Sequence, residues 1–151
     1  MLIGVISDTH GLLRPEAVAA LRGSDHILHA GDIGNEQILE ELRQMAPVTA
    51  IRGNIDSSGP CARLPAVEIT EFSGLSVYML HDRNDLDLDP TAAGIAAVVS
   101  GHSHQPGIER QKGVLYFNPG SAGPRRFSLP ISVGFLEVTD GRIEPRLLTL
   151  G

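Results

Sequence analysis

The 151-residue chain has a single cysteine, Cys61, and that scarcity removes two kinds of architecture. No intrachain disulfide can form, and one thiol cannot build a tetrathiolate zinc site. Positive charge is also scarce: 12 Lys and Arg stand against 18 Asp and Glu, a formal net charge of -6. Such a surface repels nucleic acid and anionic membrane at long range, so strong nucleic-acid binding is not expected. Long apolar runs are missing too. The opening MLIGVIS is shorter than a signal peptide's apolar segment, lacks a basic start and runs straight into polar residues. Nothing later approaches a membrane span. These absences predict a soluble, unprocessed protein of the reducing cytoplasm. No repeat, low-complexity tract or linker interrupts residues 1–151, so one domain with one substantial core is expected. Self-association into a homo-oligomer stays open.

What is present is a series of apolar, β-branched runs: LIGVIS, HILHA, PVTAIR, LSVYML, AAVVS, VLYFN and ISVGFLEV. Each is followed by Gly, Asp or Asn punctuation, and each reads as a strand. Two helical patterns lie between the early ones. PEAVAALRG has Pro15 near its start and Gly23 just past its end; NEQILEELRQM has Asn35 as its cap. The first third is therefore β-α-β-α-β. From about Val67 the helices thin out, and turns at FSGLS, RQKGV and TDGR predict a more antiparallel second half.

The chemistry lies where the predicted strands stop. LIGVIS leads into Asp8-Thr9-His10, HILHA into Gly31-Asp32, TAIR into Gly53-Asn54, VYML into His81, and AVVS into Gly101-His102-Ser103-His104. Extended chain has a side-chain period of two, which predicts that His102 and His104 share one side, as do Asp8 and His10. In open α/β sheets the carboxyl ends of strands converge on a ligand, so residues from 8 to 104 can meet. Seven candidate ligands exceed the needs of one catalytic dication. A carboxylate can bridge two ions about 3.5–4 Å apart, and Asp32 is the candidate bridge. Oxygen and imidazole donors without thiolate suit Mn²⁺, Fe, Co²⁺, Ni²⁺ or Zn²⁺.

Taken in order, Asp8-x-His10, Gly31-Asp32, Gly53-Asn54, His81 and Gly101-His102-x-His104 resemble the calcineurin-like metallophosphoesterase superfamily, over nearly the whole chain. Small size, GNID in place of Gly-Asn-His-Glu, and the later NPGSAGPRR make the chain most similar to the compact YfcE-type phosphodiesterases. The resemblance implies an α/β fold: a sandwich of two β-sheets flanked by helices, with a dinuclear site at one edge. It assigns Asp8, His10 and His104 to one metal, Asn54, His81 and His102 to the other, and Asp32 to both. It further implies a phosphodiesterase for a small phosphate ester or nucleotide, with Mn²⁺ favoured and a metal-bridging hydroxide attacking phosphorus. A phosphomonoesterase and an interaction scaffold similar to Vps29 of retromer are the alternatives.

Several residues carry finer expectations. Asn54 and Asp32 are assigned to catalysis, and Arg125 or Arg126 to phosphate contact. His29 is read as a hydrogen-bonding support, or as a leaving-group acid if it reaches. Ile55 stands where relatives carry a histidine that can protonate the leaving group, so aryl diesters should outpace alkyl ones. Asp82 and Arg83 replace a usual Gly-His, which bears on substrate preference. DRNDLDLD lacks the glycine and closing glutamate of an EF-hand loop and reads as a solvated acidic loop. His26 reads as an exposed strand start.

Overall fold

The computed structural model describes residues 1–150. Its order begins β1 (Leu2–Ile6), α1 (Pro15–Leu21), β2 (His26–His29), α2 (Glu36–Arg43) and β3 (Val48–Ala50). It continues through β4 (Val67–Phe72), β5 (Leu75–Leu80), β6 (Ile95–Val99), β7 (Gly107–Gln111) and β8 (Val114–Asn118), and closes with β9 (Ser132–Thr139) and β10 (Arg142–Thr149). The seven apolar runs all became strands. The helix signals held as well: Pro15 starts α1, Gly23 beyond it has φ +91°, and the Asn35 side chain caps α2 by accepting from the Gln37 N–H at 2.8 Å.

The strands form two five-stranded sheets, ordered β10-β9-β1-β2-β3 and β4-β5-β6-β8-β7. Each sheet has three adjacent parallel strands: β1-β2-β3 in one, with β3 at the edge, and β5-β6-β8 in the middle of the other. After Val67 the ladders β4–β5, β7–β8, β9–β10 and β1–β9 are antiparallel and only β5–β6 and β6–β8 are parallel, so the second half is more antiparallel than the β1-β2-β3 start, as its turns predict. Hairpin turns attach one flanking strand at a time, while the long segments between β5, β6 and β8 permit parallel pairing. The final hairpin, β9–β10, returns to the first sheet and pairs antiparallel with β1.

One apolar layer lies between the sheets, where Ile3, Val5 and Leu28 meet Val77, Met79, Val99 and Phe117. A second seals α1 and α2 onto the first sheet through Leu21, Leu39, Leu42 and Ile27. Full burial of each such side chain stabilises the fold by roughly 1.5–3 kcal/mol. The outer face of the second sheet carries Tyr78, Leu80, Val98 and Val114, covered partly by Leu86 and Leu88 from the loop after β5 rather than by an α-helix. Among the described residues α-helices therefore flank only the first of the two sheets. The sandwich brings the carboxyl ends of β1, β2 and β3 beside those of β5 and β6, which is where all seven candidate ligands stand.

Candidate metal centre

The chain leaves β1 at Ile6, β2 at His29 and β6 at Val99, and then turns through unusual backbone. Asp8, His10, Asp32, His102 and His104 all have φ between +46° and +68°. A non-glycine residue in this left-handed region costs roughly 1–2 kcal/mol. Five such residues at one edge mark a locally strained site held by its surroundings. The period-two expectation for His102-x-His104 is thus corrected: both lie beyond β6, and the two imidazoles enter different groups.

Two clusters of donors result. Asp8, His10 and His104 form one, and Asp32, His81 and His102 the other, with the donor atoms of each within 4.8 Å of one another. The Oδ1 of Asp8 lies 3.4, 3.7 and 3.8 Å from the Nε2 atoms of His104, His81 and His10. The Oδ2 of Asp32 lies 3.2 Å from His81 Nε2 and 3.4 Å from His10 Nε2, so this one oxygen faces both clusters. Asn54 joins the second cluster with its Oδ1 3.2 Å from His102 Nδ1. Asp8 Oδ1, His10 Nε2 and His81 Nε2 are buried with no hydrogen-bond partner. Orphaned donors and acceptors at these spacings fit ligands about 2.0–2.2 Å from shared ions, and this set suits a divalent metal without thiolate.

The remaining atoms of these side chains are pinned. Asp8 Oδ2 accepts from Ser7 Oγ at 2.9 Å and from the His102 N–H at 3.1 Å. Asp32 Oδ1 accepts from the Ile55 N–H at 3.0 Å. His81 Nδ1 donates to the Ala30 carbonyl at 2.8 Å, which leaves Nε2 as the lone-pair nitrogen. Glycine is required where the loops touch. A Cβ on Gly53 would collide with Asp32, and one on Gly101 would collide with Ser7 and Asp8.

Sequence reasoning missed Asp56. It is buried, and its carboxylate accepts from the backbone N–H groups of Ile33, Gly34 and Gly53 at 2.9–3.1 Å, tying the loop after β2 to the loop after β3. Its place in GNID, two residues after Asn54, was the available signal. The NPGSAGPRR segment has a similar office. Ser121 Oγ donates to the Asp8 carbonyl at 3.1 Å, the Ala122 N–H to the Ser7 carbonyl at 3.1 Å, and Asn118 Nδ2 to the Gly101 carbonyl at 3.0 Å.

Electrostatics follow burial and neighbours. Burial raises the Asp8 carboxyl above the usual carboxylate range, against the pull of His81. Burial opposes charge on Asp32 and on His81 as well. Their mutual contact outweighs it, so Asp32 is lowered and His81 raised. His104 is pushed down to about 4, first by burial and then by the positive charge of Arg126.

His29 is fully buried and its pKa falls to about 3, chiefly through desolvation. Its Nδ1 accepts from the Gly31 N–H at 3.2 Å, so its Nε2–H donates to Thr9 Oγ1 at 3.0 Å, and Thr9 in turn donates to the Ile33 carbonyl at 2.9 Å. With both nitrogens engaged in the interior, His29 has no free donor for a leaving group. The leaving-group alternative is therefore corrected in favour of structural support. Ile55 turns an exposed apolar side chain outward. His26 is half-buried, bonded to Thr49 Oγ1 at 2.8 Å and packed edge-on against Phe72, rather than an exposed strand start. Arg125 and Arg126 are both exposed; Arg125 Nη1 donates to the Leu129 carbonyl, and Arg126 is the one whose charge reaches His104. In the acidic loop, Asp82 and Asp89 cap local turns through the N–H groups of Asn84 and Thr91.

Comparison with known proteins agrees with this geometry. Residues 1–141 match the calcineurin-like phosphoesterase superfamily domain. A probable metallophosphoesterase of Methanocaldococcus jannaschii is 36% identical, covering 99% of this chain and 82% of its own length. One from Methanothermobacter thermautotrophicus is 36% identical, covering 100% and 94%. Among solved structures, a novel archaeal phosphodiesterase superposes with a TM-score of 0.79 at 22% identity, covering 98% of this chain and 100% of that one. YfcE, a phosphoesterase from E. coli, gives 0.72 at 21% identity, and zinc-bound Vps29 from Entamoeba histolytica gives 0.74 at 21%, each covering both chains fully. The structural likenesses speak to the fold. Together with the family match and the two archaeal relatives, they place this chain in the calcineurin-like phosphoesterase superfamily.

Proposed function

We propose that the chain is a metal-dependent phosphodiesterase with a dinuclear site. The observation that carries this reading is Asp32 Oδ2, one oxygen facing both donor clusters at 3.2 and 3.4 Å. Asp8, His10 and His104 would hold one divalent ion, Asn54, His81 and His102 the other, and Asp32 both; Mn²⁺ is the favoured ion. When bound, two such ions supply an acidified water as nucleophile and positive charge for the phosphoryl oxygens.

The protein's own residues then divide the remaining work. Asn54 keeps its Oδ1 toward His102, which leaves its amide N–H groups to donate to a phosphoryl oxygen. Arg126, exposed and felt at His104, adds positive charge for the incoming phosphate, and Arg125 flanks it in sequence. Asp56 and His29 hold the loops on which Asp32 and Asn54 sit. At position 55 the side chain is apolar and cannot donate a proton to the departing oxygen. Substrates that leave as stable anions are therefore favoured, which means aryl esters above alkyl esters. A small phosphate ester or nucleotide is the expected substrate class.

Hydrolysis of bis(p-nitrophenyl) phosphate and p-nitrophenyl phosphate by metal-stripped protein, with Mn²⁺, Ni²⁺ or Zn²⁺ restored, tests the reading. Metal-restored cleavage favouring the diester supports it. Monoester preference makes the chain a phosphatase instead. Absence of turnover with metal bound favours a scaffold, the reading that the Vps29 likeness offers.

A further inference from the structure

Two cavities, of about 610 and 280 Å³, are both lined by His102 and Asp82. The larger extends past Arg83, Glu109 and Tyr116; the smaller includes Val67 and Leu80. Asp82 stands at their common boundary and is held there. Its Oδ1 accepts from the Asn84 N–H at 3.0 Å, and its Oδ2 lies 3.6 Å from His102 Nε2. The cation nearest in sequence is already committed. Arg83 pairs with Glu109 at 2.6 Å and lies over the Tyr116 ring at 4.1 Å. Among the described residues no Lys or Arg forms an ion pair with Asp82: Arg83, which lines the larger cavity, pairs with Glu109, and Arg52, which lines the smaller one, donates its Nη1 to the Leu64 carbonyl.

We propose that Asp82 determines specificity, selecting phosphodiesters whose ester arm is uncharged or cationic and rejecting those that carry a further anionic group near the phosphate. The inference rests on the phosphodiesterase reading, since a phosphoryl group bound beside Asn54 and the metal-holding His102 lies next to the cavities that Asp82 and His102 line, into which its ester arm would extend. A second anion there sits well within the Debye length of about 8 Å and meets direct repulsion, whereas an ammonium meets attraction. A phosphodiester carries one negative charge and a monoester up to two, so the same carboxylate also disfavours monoesters.

The test uses metal-loaded protein and three p-nitrophenyl diesters whose second arm is aminoethyl, ethyl or carboxyethyl. Wild type is expected to rank them in that order by kcat/KM. Asp82→Asn keeps an acceptor for the Asn84 N–H and removes the charge, so the aminoethyl-to-carboxyethyl ratio should fall about tenfold. Calorimetric titration with the aminoethyl and carboxyethyl methyl phosphates, which lack the aryl leaving group, should show the same change in relative affinity without turnover. An unchanged ratio in both experiments overturns the proposal. So does a uniform loss across all three substrates accompanied by weaker Mn²⁺ binding, which would mean that Asp82 only orients His102. Wild type that cleaves none of the diesters yet hydrolyses p-nitrophenyl phosphate defeats the phosphodiesterase reading instead, and the calorimetric ratio then decides the role of Asp82 alone.

Discussion

Asp56 shows how one side chain can govern a site it does not enter. Its carboxylate takes three backbone N–H groups from two loops, and Asp56→Ala would leave those donors without a partner in a buried setting. We expect a loss of about 3 kcal/mol in urea unfolding of the metal-free protein. Calorimetry should show Mn²⁺ affinity roughly 10–100-fold weaker, as for outer partners that orient metal ligands. His29 gives a pH signature. Its folded pKa of about 3 lies below the ordinary 6.5, so the folded state keeps it neutral while the unfolded chain takes up a proton. Its contribution is complete above 6.5 and is lost as pH falls toward 3, by about 1.4 kcal/mol per pH unit. Unfolding curves for the metal-free wild type and His29→Asn should differ in slope over that window; equal slopes would contradict the buried neutral imidazole.

At the scale of elements, what the sequence disclosed depends on which face of the sandwich each strand occupies. The interior strands announce themselves because both faces are buried, as in β1 and β6. Strands β4, β7 and β10 were hidden, because each is a sheet edge with an exposed, charged face: VEITEF, GIERQ and RIEPRLLT. Their turns were legible all the same. FSGLS, RQKGV and TDGR place paired left-handed residues at Ser73-Gly74, Lys112-Gly113 and Asp140-Gly141, the geometry that two-residue hairpins require. The ligand motifs were legible through their order along the chain, but the left-handed backbone that aims Asp8, Asp32 and His102 was not, since only tertiary contacts hold non-glycine residues there. Those contacts set a prediction for the loops. Gly53→Ala puts a methyl group against Asp32 backbone and carboxylate, so the loops after β2 and β3 must separate. Metal-dependent diester hydrolysis should fall at least about 10-fold, while far-UV circular dichroism, dominated by the ten strands, stays close to wild type.

For the molecule as a whole, the two sheets converge on a cluster of buried polar groups that nothing in the protein alone satisfies. Folding therefore carries a cost at this edge that bound metal would offset. Mn²⁺ present at about 100 times its dissociation constant should stabilise the wild type by about 2.7 kcal/mol per site, seen as a rise in melting temperature that chelator reverses. Asp32→Asn should retain the fold and lose most of that rise, because Asp32 Oδ2 faces both clusters. The most direct measurement is diester hydrolysis followed while Mn²⁺ is titrated into metal-stripped protein. Cleavage of bis(p-nitrophenyl) phosphate should climb to a plateau at two ions per chain. A plateau at one ion, or no cleavage with two ions bound, would contradict it.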